Sequence, residues 1–171
     1  MNPVDVPTAS ATKTLGGQDK WSIGTNGFVV NDGAAMPLRE HESFVHLETD
    51  DFDSFLAACQ GVDTVVHLAA DPRPNGDFHT SLLPSNVVGV YNAFEAALQA
   101  GCKRVLFASS VHAMLGYKID WGEGGTGEAT DNTKPPNPPN TYGATKAWGE
   151  ALCRKYSNAD GLSCIALRVS G

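Results

Sequence analysis

The chain has 171 residues, 42% of them apolar, and a formal net charge of −7. That is one domain's worth of sequence with material for a single core. The acidic balance, with no run of Lys and Arg, argues against a nucleic-acid or anionic-membrane partner, and the longest apolar stretches fall well short of the roughly 20 residues a membrane helix needs.

Residues 1–26 show no periodicity and are expected to form a poorly ordered N-terminal segment, with residues 27–171 making up the domain. The start of the chain has neither a basic n-region nor an apolar h-region, so a cytoplasmic location is expected. Phe28-Val29-Val30 is a candidate strand, Asn31-Asp32-Gly33 a turn, and residues 43–47 another candidate strand. Residues 52–60 read as a helix with Phe52, Phe55, Leu56 and Cys59 on one face, Asp50 or Asp51 as cap and Gly61 as stop. The β-branched run within residues 63–68 suits a strand buried on both faces. Residues 71–85 read as a polar, proline-containing loop. Residues 86–100 repeat Val87, Val90, Tyr91, Phe94, Ala97 and Leu98 at helical spacing, and Gly101 closes that helix. Residues 104–108 are a second buried strand, residues 118–140 a Gly/Pro-rich surface loop, residues 141–157 a long helix, and Ser163–Val169 a last strand.

Strand, helix, strand, helix, strand predicts an α/β fold: a Rossmann-like parallel sheet with flanking helices. Ligands in such sheets bind beyond the carboxyl ends of the strands. The residues to watch are therefore Ala69-Ala70-Asp71 and Ser109-Ser110-Val111-His112. Tyr142 and Lys146, at i and i+4 of a helix start, lie on one face. A free phenol titrates at about 10, and a neighbouring ammonium favours its ionised form. A serine hydroxyl from Ser109 or Ser110 would hold the substrate oxygen while Tyr142 exchanges a proton with it. Each piece alone also has a plain structural reading, a half-buried Tyr beside a surface Lys or a serine satisfying a turn. Their combination in this order carries the argument.

With those residues in view, the stretch from Val45 to Val169 resembles the extended short-chain dehydrogenase/reductase superfamily, the NAD-dependent epimerase/dehydratase family. Val65-Val66-His67-Leu68-Ala69-Ala70 is similar to the strand-end motif along the cofactor, and Asn86 with Val87-Val88-Gly89 to the family's structural Asn. Leu106-Phe107-Ala108-Ser109-Ser110 is similar to the active-site strand, Tyr142/Lys146 to the catalytic pair, and Leu167-Arg168-Val169 to the strand after it. The resemblance implies Ser110, Tyr142 and Lys146 as catalytic residues. It implies Glu48, Leu68, Ala69, Ala70, Asn86, Ala108, Tyr142 and Lys146 along the cofactor, which is NAD with NADP left open. A His two residues past Ser-Ser resembles uronate dehydrogenases, and implies Ser110, Val111 and His112 on the substrate side. For His112 a backbone-bonded loop imidazole is the alternative, and for Glu48 a solvated acidic turn. Arg73 would meet a substrate carboxylate or stand exposed in its loop. His67 is expected packed in the sheet. His41, His46 and His79 have no partners suggesting a metal. The cysteines Cys59, Cys102, Cys153 and Cys164 lack C-x-x-C spacing and are expected as reduced, mostly buried thiols.

A dinucleotide fold needs a glycine-rich turn after its first strand. Gly24-Thr25-Asn26-Gly27 is a poor match, with no strand before it and no helical pattern after it. The fold is therefore expected to be incomplete, without its first βα unit and glycine-rich loop and without the C-terminal lobe, and cofactor binding to be weak. Phe28-Val29-Val30 would partly replace the absent strand. The function implied is an NAD-dependent oxidoreductase acting on a sugar or sugar acid. The alternatives are a nucleotide-sugar epimerase/dehydratase and a non-catalytic fragment. A homodimer through the helices carrying Asn86 and Tyr142 is left open, since core packing explains those apolar faces equally well.

Overall fold

A computed structural model describes residues 22–24, 27–29, 47–119 and 131–170. The turn at residues 31–33 and residues 43–46 of the candidate strand lie outside the described residues. Strands β1 (Ser22–Gly24) and β2 (Gly27–Val29) form an antiparallel pair, with Ser22 opposite Val29 and Gly24 opposite Gly27. Gly24 thus closes one strand and Gly27 opens its antiparallel partner, whereas a phosphate-binding turn leads from a strand into a helix. Among the described residues β2 pairs with β1 and with no strand of the main sheet, so the Phe28 run adds no strand there.

Among the described residues the main sheet has three strands: β3 (Thr64–His67), β4 (Arg104–Ser110) and β5 (Ser163–Val169), parallel and in the order β3-β4-β5. Helices α1 (Phe52–Cys59), α2 (Gly89–Gln99) and α4 (Thr141–Asp160) supply the crossovers and cover, and α3 (Gly116–Ile119) is a short turn of helix. This is the Rossmann-like arrangement expected from the alternation of periods.

Local chemistry sets the boundaries. The Asp51 carboxylate accepts the Ser54 N–H at 3.3 Å and caps α1. α4 starts where the Asn140 side-chain oxygen accepts the Gly143 N–H at 2.8 Å. It runs to Asp160, beyond the expected end at 157, and stops where Gly161 takes φ +72°. β4 runs two residues past the expected 108, carrying both serines into the sheet.

The polar loop expected over 71–85 is corrected. Residues Phe78–Val88 form a π-helical stretch continuous with α2, so Asn86 lies in it. Asp77 caps this stretch by accepting the Thr80 N–H at 2.8 Å, and the Leu82 N–H reaches five residues back to the Asp77 carbonyl at 3.0 Å. Pro84 has no N–H to donate within this stretch, and the Gly89 N–H reaches five residues back to the Pro84 carbonyl. Such a turn departs from the 3.6-residue period of an α-helix.

The core joins Phe55, Val65, Val90, Phe94, Val105, Phe107, Leu152 and Tyr156, all buried. α4 lies on β4 at very close range: a Cβ on Gly149 would stand 2.2 Å from Cζ of Phe107. The Tyr156 hydroxyl donates to Glu95 at 2.7 Å and ties α4 to α2. The cysteines are free, with Cys164 half-buried and the other three buried. No helix among the described residues is long and apolar enough to cross a membrane.

Candidate active site

Strand alternation sends the two serines at the carboxyl end of β4 in opposite directions. Ser109 faces α4, where its hydroxyl donates to Glu150 at 2.7 Å. Glu150 also accepts two bonds from Arg168 of β5, at 2.8 and 2.7 Å. Opposing effects act on the Glu150 carboxyl: burial raises its pKa, while Arg168 and Ser109 lower it, and the net shift is downward. Ser109 is thus committed to holding helix to sheet. Ser110 is buried too, but its oxygen accepts the His112 backbone N–H at 3.2 Å, which leaves its proton to donate. The sequence left the choice between the two serines open, and this geometry separates them.

Beyond Ser110 the chain makes a short 3-10 turn, Val111–Ala113. The start of α4 presses onto it: a Cβ on Gly143 would stand 2.3 Å from the His112 carbonyl oxygen, so only glycine permits the approach. Tyr142 and His112 meet edge to face, ring centroids 5.4 Å apart, and Val111 is half-buried beside them. One turn along α4, Lys146 is 4% exposed, with its ammonium 5.7 Å from the Tyr142 ring centroid and 5.2 Å from that of Phe107. It donates to the Ala108 carbonyl at 2.7 Å, which leaves its remaining N–H groups for a ligand. Burial pulls its pKa down to about 8. Ala108, Ser110, Val111, His112, Tyr142 and Lys146 therefore converge at one strand end.

Leu68, Ala69 and Ala70 follow β3 at the same edge of the sheet, with Leu68 exposed and the alanines half-buried. Asn86 braces this edge. Its side-chain oxygen accepts the Asp71 N–H at 2.7 Å, and its amide nitrogen donates to the Asp71 carbonyl at 2.9 Å and to Thr145 at 3.2 Å. The loop after β3 is thereby held to the helix carrying Tyr142 and Lys146. Arg73 is engaged by Asp71 through both Nε and NH2, at 2.9 and 2.7 Å, and its side chain is half exposed. That contact, with Ser81 also donating, holds the Asp71 carboxyl down at about 2. Glu48 lies exposed ahead of α1, and its carbonyl accepts the Asp51 N–H at 3.1 Å. His67 is packed in the sheet at 1% exposure between Phe55 and Phe107, and burial, aided by the Lys146 charge, pushes its pKa down to about 3.

Two members of this constellation were not singled out in the sequence. Glu150 sits four residues after Lys146 on the same helical face, a spacing that could have flagged it. Asn140 bears a cap signature just before Thr141 and has a second contact with His112.

The model of the NAD dependent epimerase/dehydratase family matches residues 23–171. L-arabinose 1-dehydrogenase (NAD(P)(+)) of Haloferax volcanii is 38% identical over 146 residues, 81% of this chain and 57% of that protein. Uronate dehydrogenase of Pseudomonas syringae pv. tomato is 30% identical over 137 residues, 79% of this chain and 46% of that protein. A solved variant of uronate dehydrogenase from Agrobacterium tumefaciens, complexed with NAD, superposes with a TM-score of 0.62 at 28% identity, covering 77% of this chain and 46% of the other. The chain spans about half the length of the curated relatives it matches.

Proposed function

The chain belongs to the NAD dependent epimerase/dehydratase family, and from that premise we propose that it carries the catalytic groups of a sugar dehydrogenase that oxidises a sugar or sugar acid. The uronate and arabinose dehydrogenases among its relatives support that substrate class. The observation that carries the proposal is the convergence of Ser110, Tyr142 and a buried Lys146 at the carboxyl end of β4.

The donor set fits the nicotinamide-ribose end of NAD: an ammonium with N–H groups to spare, beside a phenol, above the Ala108 backbone. NAD, when bound, supplies the hydride acceptor. Everything else falls to side chains. Ser110 donates its free hydroxyl hydrogen to the substrate oxygen. Tyr142 takes the proton from the substrate hydroxyl as the carbon gives up its hydride. Lys146, held by Ala108, would bind the ribose hydroxyls of the cofactor and stabilise negative charge on the Tyr142 oxygen. Leu68, Ala69 and Ala70 would line the bound cofactor, and Glu48 would meet its adenine end. Val111 and His112 face the sugar. Asn86 acts through the Asp71 loop, which it holds in place.

We place this enzyme in the cytoplasm, where its free thiols stay reduced. We take it to pair with a second copy through the outer faces of α2 and α4, where Tyr91 and Trp148 are exposed. The test is direct. The purified chain is supplied with NAD⁺ and, in turn, galacturonate, glucuronate, L-arabinose or UDP-glucose, and NADH absorbance is followed. Oxidation of a free sugar or uronate is expected, and Tyr142→Phe should lower the rate by about 10²–10⁴-fold. Epimerisation of UDP-glucose with no net NADH would replace the proposal with a nucleotide-sugar epimerase, and no turnover of any substrate would leave a non-catalytic protein.

A further inference from the structure

Asn140 makes two hydrogen bonds with opposite requirements. Its Oδ1 accepts the backbone N–H of Gly143 at 2.8 Å, as the N-cap of α4. Its Nδ2 lies 3.1 Å from Nδ1 of His112, 28 residues earlier in the chain. The first bond decides the second. A backbone N–H can only donate, so the amide must turn its oxygen to Gly143 and its nitrogen to His112. An amide nitrogen has only hydrogens to offer, so Nδ1 of His112 must be the acceptor. In a neutral imidazole one nitrogen carries the proton and the other accepts. The proton of His112 is then on Nε2. Among the described residues nothing bonds Nε2, and the ring stands edge-on to Tyr142 with centroids 5.4 Å apart.

We propose that Asn140 is a positioning residue that fixes the tautomer of His112, so that the ring offers an Nε2–H donor to an acceptor oxygen of the substrate beside Tyr142. The helix cap thus sets both the start of the helix bearing Tyr142 and Lys146 and the polarity of the imidazole facing it. The ligand group recognised is one with lone pairs to give, a carboxylate or carbonyl oxygen of the sugar. The substrate half of this inference rests on the dehydrogenase reading above, while the tautomer half does not.

Two substitutions separate capping from tautomer control. Asn140→Asp keeps an oxygen for the Gly143 N–H, and Asp caps as well as Asn, but it puts a second acceptor against His112 in place of a donor. Asn140→Ala removes both bonds. The histidine ring nitrogens are read by ¹⁵N NMR on the whole chain at a pH where the ring is neutral, with His112→Gln to assign the signal. The expected result is the Nε2–H form in the parent chain and the Nδ1–H form in Asn140→Asp. The melting temperature should be unchanged in Asn140→Asp and lowered in Asn140→Ala. In turnover, Asn140→Asp should raise KM for a uronate about tenfold or more while kcat falls less. An Nδ1–H ring in the parent chain, or an unaltered tautomer in Asn140→Asp, would overturn the proposal. An unchanged KM with a switched tautomer would overturn its substrate half. The spectrum needs neither cofactor nor substrate, so a chain that turns over no sugar would count against the dehydrogenase reading alone.

Discussion

Lys146 shows how one burial event shapes chemistry. The residue is 4% exposed with its ammonium over Phe107, and the loss of water rather than any cationic neighbour brings its pKa down to about 8. At neutral pH it is still charged, the state the proposed mechanism requires. Above about 8 that charge is lost, so the rate should fall as pH rises past this point. Arg does not titrate in this range. Lys146→Arg should therefore push the alkaline fall upward while lowering the maximum rate, as read from kcat against pH. An alkaline limb at the same pH in both proteins would assign it to another group. His67 illustrates the opposite outcome. Its burial yields a neutral ring wedged between Phe55 and Phe107, a packing role, although its strand ends at the cleft.

Elements here are joined by a few dense contacts. Gly149 is an interior helix residue, where Ala would ordinarily favour the helix by roughly 1 kcal/mol. Its missing side chain instead makes room for the Phe107 ring, with no space for a Cβ. Gly149→Ala should destabilise the chain by about 1–3 kcal/mol in urea melts, and a stabilised variant would contradict the close approach of α4 to β4. The Glu150–Arg168 pair joins the same helix to β5 with side chains 7% and 23% exposed. Glu150→Ala leaves the guanidinium unpaired and removes the partner of Ser109, and should cost about 3–5 kcal/mol. The π-helical stretch belongs to this scale as well. Through Asn86 it fixes the loop after β3, so the cleft edge is positioned by an element whose first turns, residues 78–85, were expected as loop.

Across the molecule, the buried histidine makes stability depend on pH. The His67 pKa is about 3 in the fold against an unfolded value of about 6.5. Between those values the unfolded chain binds a proton that the folded chain does not, so stability is full above about 6.5 and is lost as pH falls towards 3. The slope approaches about 1.4 kcal/mol per pH unit. Urea melts across pH 7 to 4 should show it, and His67→Leu should flatten it; a slope unchanged in that variant would assign the acid loss to the carboxylates, Asp71 foremost. The apolar outer faces of α2 and α4 give a second whole-molecule expectation. Sedimentation should find a dimer, and Trp148→Glu should dissociate it.

The sequence by itself determined the elements whose signals are local. Apolar runs made β3, β4 and β5 recognisable, an Asp cap and Gly61 marked where α1 begins and ends, and the i, i+4 spacing put Tyr142 and Lys146 on one face. Tertiary structure decided what depends on groups distant along the chain. It committed Ser109 to Glu150 and left Ser110 free, turned Asn86 into a brace, spent Arg73 on Asp71, and set Asn140 against His112. The reason is physical. Period and capping act within a few residues, whereas a hydrogen-bond partner or a buried pKa is fixed only when separate segments pack together and exclude water.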